Sequence, residues 1–156
     1  MHTPIFSMLI AGLALLLTGL PADRYDDVPS LRLMSATELK ANSSGHFVTK
    51  AAINGTNIMV LVDTGATAVA LSYEDARNAG LRPGNLDFNT PVATANGVAN
   101  AARVKIGRIA VDGIEVDDVD GLVLPEGALR GTLLGMSFLS RLRSFRVEDG
   151  ILYLRD

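Results

Sequence analysis

One tripeptide in this chain has both the residue types and the setting for hydrolytic chemistry. Asp63-Thr64-Gly65 follows the apolar run Val60-Leu61-Val62 and leads into Ala66-Thr67. A carboxylate at the end of a strand that is apolar on both faces is costly to desolvate unless it is partnered. Gly65 permits a tight backbone turn and lets its amide approach that carboxylate closely. An Asp held this way can act as a general base on water or, protonated, as a general acid. The tripeptide alone is weak evidence, because a chain of this length contains one by chance in roughly a few per cent of cases. A surface turn in which Asp63 merely bonds nearby amides uses the same residues. The setting strengthens the catalytic reading: a second glycine element, Leu133-Leu134-Gly135, lies about seventy positions downstream.

Other chemistries find little support. The chain of 156 residues has no cysteine, which excludes thiol catalysis, disulfides and cysteine-ligated metal. Its two histidines, His2 and His46, are far apart, and a lone histidine is more often a surface or packing residue than a ligand. Asp117-Asp118-Val119-Asp120 lacks the alternation and downstream glutamate of a calcium loop and reads as a solvated turn. No metal and no cofactor are expected. A net charge of −3 argues against nucleic acid or an acidic membrane surface as partner, and the small basic group Arg141, Arg143 and Arg146 reads as solvated. Asn42-Ser43-Ser44 and Asn54-Gly55-Thr56 match the glycosylation sequon, a common pattern that decides nothing here.

The elements that must position Asp63 are short strands. From Gly45 onward, apolar runs are separated by turn signals every eight to twelve residues. His46 to Ile53 and Thr56 to Val62 flank Asn54-Gly55, and Val69 to Ser72 follows. A helix begins at Ser72, capped by the Ser72/Asp75 pair and stopped at Gly80. Phe88 to Thr94 and Val98 to Val104 flank Asn96-Gly97, a strong hairpin signal. Ile106 to Val111 and Ile114 to Val119 flank Asp112-Gly113, and Gly121 to Leu124 is a further short strand. Met136 to Leu142 reads as a short helix, and Phe145 to Val147 with Ile151 to Leu154 as a last hairpin. The sum is a mainly β fold, a small closed barrel with one or two short helices.

The order of these pieces resembles the retropepsins, and more closely the small bacterial retropepsin-like aspartic proteases with an amino-terminal hydrophobic segment. The matching pieces are Gly45-His46-Phe47, Ile53-Asn54-Gly55, Val62 to Thr67, Thr94-Ala95-Asn96-Gly97 and Leu133 to Leu139, in unbroken order over residues 45 to 154. The resemblance implies that Asp63 is the catalytic carboxylate of an aspartic endopeptidase. Thr64 bonds across a dimer at the base of the site, and Gly65 and Ala66 shape the loop. The hairpin tipped by Ala95, Asn96 and Gly97 closes over an extended peptide substrate, and Leu133-Leu134-Gly135 packs behind the loop. This hairpin is rich in alanine and asparagine and lacks the aromatic that would help it grip substrate.

Aspartic chemistry needs two carboxylates sharing one proton around a water, and two like charges about 3 Å apart split their titrations. The chain holds one Asp-Thr-Gly and a body of one lobe, so a homodimer must supply the second Asp63. A bell-shaped rate–pH profile is the expected consequence. The alternative is a non-catalytic module that captures an extended peptide on the same barrel, because fold does not fix function.

Residues 5 to 20 form an uncharged apolar run, slightly short for a membrane-spanning helix of about 20 residues and slightly long for a signal-peptide core. Residues 1–22 are expected to be a signal or membrane anchor that places the protein on the periplasmic side. Residues 23–44 are expected to be a linker, with a short helical turn near Ala36 to Ala41, and residues 45–156 the protease domain.

Overall fold

Alternation of buried and exposed side chains organises most of the chain. The computed structural model describes residues 34–156. The expected signal or anchor, residues 1–22, and the first part of the linker lie outside them.

The body is built from ten strands and two short helices. β1 (Ala36–Lys40), β2 (Val48–Ile53), β3 (Thr56–Val62) and β4 (Val69–Leu71) precede α1 (Tyr73–Asn78). β5 (Thr90–Thr94), β6 (Gly97–Val111), β7 (Ile114–Val123) and β8 (Thr132–Leu134) precede α2 (Met136–Leu139), and β9 (Ser144–Glu148) and β10 (Ile151–Arg155) end the chain. β2, β3, β8, β4, β7 and β6 are neighbours in that order, and β6 pairs back onto β2 through Ala52–Ala110 and Ile53–Ile109. That last pairing closes a six-stranded barrel. β5 pairs only with β6, outside the ring, so the β5–β6 hairpin projects from it.

Sequence chemistry accounts for the turns. Asn54-Gly55, Asp112-Gly113 and Asp149-Gly150 all take left-handed φ values, 49° and 85°, 47° and 86°, and 50° and 74°. Two successive positive φ angles define the type I′ turn that matches strand twist, and Asn, Asp and Gly adopt them at least cost. The core inside the barrel is aliphatic: Ile53, Val60, Leu71, Ile106, Ile109 and Ile114 are fully buried, with Phe138 of α2 beneath them. Burying each such side chain contributes roughly 1.5–3 kcal/mol.

Four expectations change. The helical turn expected at Ala36 to Ala41 is strand β1, paired with β10 from Ala36–Arg155 to Lys40–Ile151. The reason is period two: Thr37 is buried and Leu39 partly so, while Glu38 and Lys40 face solvent. The described body thus takes in residues that were expected to be linker. Val98 to Val104 and Ile106 to Val111 are one strand, β6, because no turn residue interrupts the alternation at Lys105. Ile114 to Val119 and the run from Gly121 are likewise one strand, β7, so Asp117 to Asp120 lie within a strand and not in a solvated turn, and the left-handed φ of 53° at Asp118 marks a local kink. Helix α2 stops at Leu139 and does not reach Leu142. The Ser72 cap behaves as expected, its hydroxyl accepting from the Asp75 amide at 3.1 Å.

Candidate active site

Backbone hydrogen bonds pin the Asp63 loop at both ends. At its entry the Val62 amide donates to the Phe47 carbonyl at 2.9 Å, and the Asp63 amide to the Leu134 carbonyl at 3.2 Å. The Ala66 amide then donates to the Asp63 carbonyl at 3.2 Å, closing a tight turn. Inside that turn the Gly65 amide donates to Asp63 Oδ1 at 2.9 Å. A Cβ on Gly65 would sit 3.1 Å from the same oxygen, a tight contact that the glycine avoids. Asp63 and Ala66 are half-buried, and Thr64 and Gly65 are exposed. One edge of the loop therefore faces outward.

The floor of the loop is strand β8. It runs parallel to β3, with Val60–Thr132, Leu61–Leu133 and Val62–Leu134 in register, and antiparallel to β4 at Ala70–Leu133. Both arms of the loop are thus stitched to one short strand. Gly135 then passes so close beneath the loop that an added Cβ would lie 2.2 Å from the Ala68 carbonyl oxygen and 2.7 Å from that of Ala66. The next amide, Met136, donates to the Ala66 carbonyl at 2.8 Å. Leu133-Leu134-Gly135 therefore packs behind the loop, as the resemblance implied.

Two hydroxyls that the sequence did not single out hold this floor. Ser137 Oγ accepts from the Val69 amide at 2.9 Å and donates to the Asp120 carbonyl at 2.6 Å, tying the loop's exit to α2 and β7. Buried Thr132 donates to Asp75 Oδ2 at 2.7 Å, fastening β8 to α1. A Ser or Thr in an otherwise apolar segment entering the core was the available signal, since a buried hydroxyl must find a partner.

The projecting hairpin holds Ala95, Asn96 and Gly97 at its tip, all exposed. The tip differs from expectation: Ala95-Asn96 are the two turn residues, and Gly97 opens β6 opposite Thr94 with φ 112°. Thr94 Oγ1 secures it, accepting from the Asn96 amide at 3.2 Å and donating to the Gly97 carbonyl at 2.8 Å. Among the described residues no hydrogen bond joins this tip to the Asp63 loop.

A second apolar cluster connects the two regions. It contains Val92 and Ala99 midway along the hairpin, Ala70 and Leu133 on the strands beside the loop, and Leu122 and Leu129. These residues alternate out of phase with the barrel core, since Leu122 neighbours buried Val123 and Leu133 neighbours buried Leu134. Apolar residues on both faces of a strand are the sequence sign of this wall.

The acidic run of β7 is used in surface pairs. Asp117 takes the Arg108 guanidinium at 2.6 Å, and Asp120 takes Lys105 at 2.7 Å. The Lys105 hydrogen bond and charge hold the Asp120 carboxyl below its usual range, and Asp117 raises Arg108. Such exposed pairs contribute little to stability.

A barrel strand that ends in Asp-Thr-Gly, floored by a Leu-Leu-Gly strand and flanked by a projecting hairpin, defines the single-lobe aspartic-protease fold. The chain belongs to the gag-polyprotein putative aspartyl protease family, whose model matches residues 49–141. It is similar to a retropepsin-like aspartic protease from Rickettsia conorii, at 33% identity and a TM-score of 0.72 over 79% of this chain and 92% of that one. The EIAV protease in its inhibitor complex shares the fold, at 24% identity and a TM-score of 0.56 over 69% of this chain and 97% of that one. An uncharacterized Sinorhizobium protein from the cobV 5′ region is 41% identical over 90% of this chain, and the chain spans 60% of that relative's length.

Proposed function

We propose that the chain is an aspartic endopeptidase whose active site is a pair of Asp63 carboxylates, one from each subunit of a homodimer. The observation that carries the reading is the Asp63 loop itself. Its backbone is fixed by β8, its carboxylate is oriented by the Gly65 amide, and its outer edge is open to a partner and a substrate. One such loop per chain supplies half of a dyad.

In the dimer one ionised carboxylate takes a proton from a water placed between the two. The water oxygen bonds to the scissile carbonyl carbon, and the second, protonated carboxyl gives its proton to the carbonyl oxygen. The tetrahedral diol collapses as the first carboxyl protonates the amide nitrogen, the C–N bond breaks, and a diol hydroxyl returns its proton to the second carboxylate. Thr64 bonds across the two-fold, and Ala66 with Ala95, Asn96 and Gly97 lines the path of an extended peptide. The wall of Val92, Ala99, Leu122 and Leu133 offers apolar surface to its side chains. The reading includes export, with residues 5–20 as signal or anchor. Among the described residues no helix is long and apolar enough to cross a membrane.

The test is cleavage of a diverse peptide library by the full chain beside Asp63→Asn, from acid to neutral pH. Asn keeps an Oδ1 acceptor for the Gly65 amide, so the fold should survive while cleavage disappears. Equal cleavage by the variant refutes the mechanism, and peptides bound but left whole by a dimeric parent favour a binding module.

A further inference from the structure

Lateral pairing of the strands sets six side chains in one row across the outer face of the barrel. Val48 pairs with Leu61, Leu61 with Leu133, and Leu133 with Ala70. Ala70 then pairs with Leu122, and Leu122 with Arg103. Directly paired residues share a face of the sheet. Val60, Leu134, Leu71 and Val123, the neighbours along the strands, are buried in the core, so the row lies on the face turned away from it. Five of the six residues are apolar, and Leu61 stands two residues before Asp63. The row ends on a guanidinium. Four strand steps separate Leu61 from Arg103. With strands about 4.8 Å apart they cover about 19 Å, the span of about six residues of an extended chain.

That end of the row carries surplus positive charge. Lys105 lies two residues beyond Arg103 on the same face and takes Asp120, directly opposite, at 2.7 Å. The Ser137 bond to the Asp120 carbonyl draws α2 onto β7, and Arg141 follows two residues after the end of α2. After the Lys105 hydrogen bond and charge, Arg103 and Arg141 also help to hold the Asp120 carboxyl low. Three cations therefore surround one carboxylate, which is already committed to Lys105. Arg103 and Arg141 are exposed, and among the described residues neither has an ion-pair partner. Arg108, further along β6, shows the contrast: Glu115 and Asp117 hold it at 3.4 and 2.6 Å.

We infer that Arg103, backed by Lys105 and Arg141, is a specificity-determining residue that selects peptides carrying Asp or Glu beyond an apolar stretch, within about six residues of the scissile bond. The inference deepens the endopeptidase reading above and rests on it. An extended chain lying along the row sets apolar side chains against Leu61, Leu133 and Leu122 and brings an acidic one to Arg103. A carboxylate there meets an open guanidinium, which it can take with two parallel hydrogen bonds. A lysine at the same place meets like charges instead. In a homodimer each copy brings one row, so the same selection acts on both sides of the scissile bond.

The test uses the full chain in mild detergent and a well-cleaved apolar peptide, made with Glu, Gln or Lys at each position within about six of the scissile bond. With the parent, Glu should raise kcat/KM over Gln about fivefold at one position or more, the upper end for an exposed ion pair, and Lys should lower it. The gain should lie in KM and vanish in about 1 M salt, where charges are screened beyond about 3 Å. Arg103→Glu should invert the order, so that Lys is preferred to Glu at the same positions, whereas a merely structural role would lower all three alike. Arg77→Glu changes the net charge by the same amount from an exposed place on α1 and should keep the parental order. Circular dichroism checks that each variant is folded. Glu and Gln peptides cleaved equally by the parent, or an order that Arg103→Glu leaves unchanged, overturn the inference. If that cleavage still depends on Asp63, the protease reading stands. Peptides that bind but stay whole are compared by fluorescence anisotropy: a preference for Glu that Arg103→Glu inverts keeps the cationic rim and overturns the catalysis. Equal binding without cleavage, or neither binding nor cleavage, overturns both.

Discussion

Replacing Gly135 by Ala adds one carbon atom at the most crowded point beneath the Asp63 loop. The new Cβ would stand 2.2 Å from the Ala68 carbonyl oxygen and 2.7 Å from that of Ala66, both main-chain atoms. A relaxed carbon–oxygen contact is about 3.3 Å or longer, so the loop must move away from β8 by roughly 1 Å. No side chain can absorb that movement. It stretches the Met136–Ala66 bond, now 2.8 Å, and through the loop the Asp63–Leu134 bond, now 3.2 Å. Overpacking costs about 1–3 kcal/mol, and a weakened backbone bond about 1 kcal/mol more. A total near 3 kcal/mol lowers the melting temperature by about 10 °C for a body of this size.

The effect on catalysis should be disproportionate. A 1 Å misplacement of a reacting group costs about a hundredfold in rate, and in the proposed dimer both carboxylates would be displaced together. The assay is cleavage at a temperature well below the variant's melting point, where far-UV circular dichroism shows the fold intact. The expected result is a fall in kcat/KM of about a hundredfold or more, in a folded and dimeric protein. A variant that melts within about 1–2 °C of the parent and cleaves at the parental rate would falsify the claim that Gly135 sets the position of Asp63.

Two hydroxyl deletions probe the same floor from other sides. Ser137→Ala strands the Val69 amide and removes a donor from the Asp120 carbonyl. It should cost about 1–3 kcal/mol in urea unfolding, and no change in the midpoint would show that water replaces the bridge. Thr132→Val keeps the shape of a side chain that is only 1% exposed but leaves Asp75 without its 2.7 Å donor. It should destabilise by about 1 kcal/mol, and most of that loss should vanish in an Asp75→Ala background, as a double-mutant cycle would report.

The loop, its floor and the hairpins were legible because each is written in residues with a local physical meaning. Asn54-Gly55, Asp112-Gly113 and Asp149-Gly150 specify their turns through backbone φ, and Ser72 announces a helix start through its hydroxyl. What was misread depended on partners distant in sequence. Ala36 to Lys40 has the residue types of a helix and becomes a strand only because β10, more than a hundred residues later, offers it an edge. The tip of the projecting hairpin shifted by one residue because Thr94 caps the turn, which lets Ala95-Asn96 turn without left-handed angles and moves Gly97 into the strand. Ser137 was inside a matched segment, but its two partners, Val69 and Asp120, are 68 and 17 positions away.

A division of labour follows from how the site is built. The carboxylate is positioned almost wholly by main-chain bonds to β8 and to its own loop, and the side chains that matter there are the ones that stay small: Gly65 and Gly135. Such a frame can place Asp63, but on the proposed endopeptidase reading it says little about which peptide would lie over it. Discrimination must come from groups outside the frame, and the projecting hairpin offers few, since its tip is Ala95-Asn96-Gly97. The apolar wall of Val92, Ala99, Leu122 and Leu133 is therefore where side-chain preference should reside. Enlarging Ala99 to Leu tests this directly. The substitution fills space midway along the hairpin, opposite Val92, without touching the loop's backbone bonds. It should shift the ranking of cleaved peptides away from bulky apolar residues, and leave the rate on the best small-residue peptide within about threefold, a change of roughly 0.7 kcal/mol. An unchanged ranking would place the specificity elsewhere, on surfaces that only the assembled dimer presents.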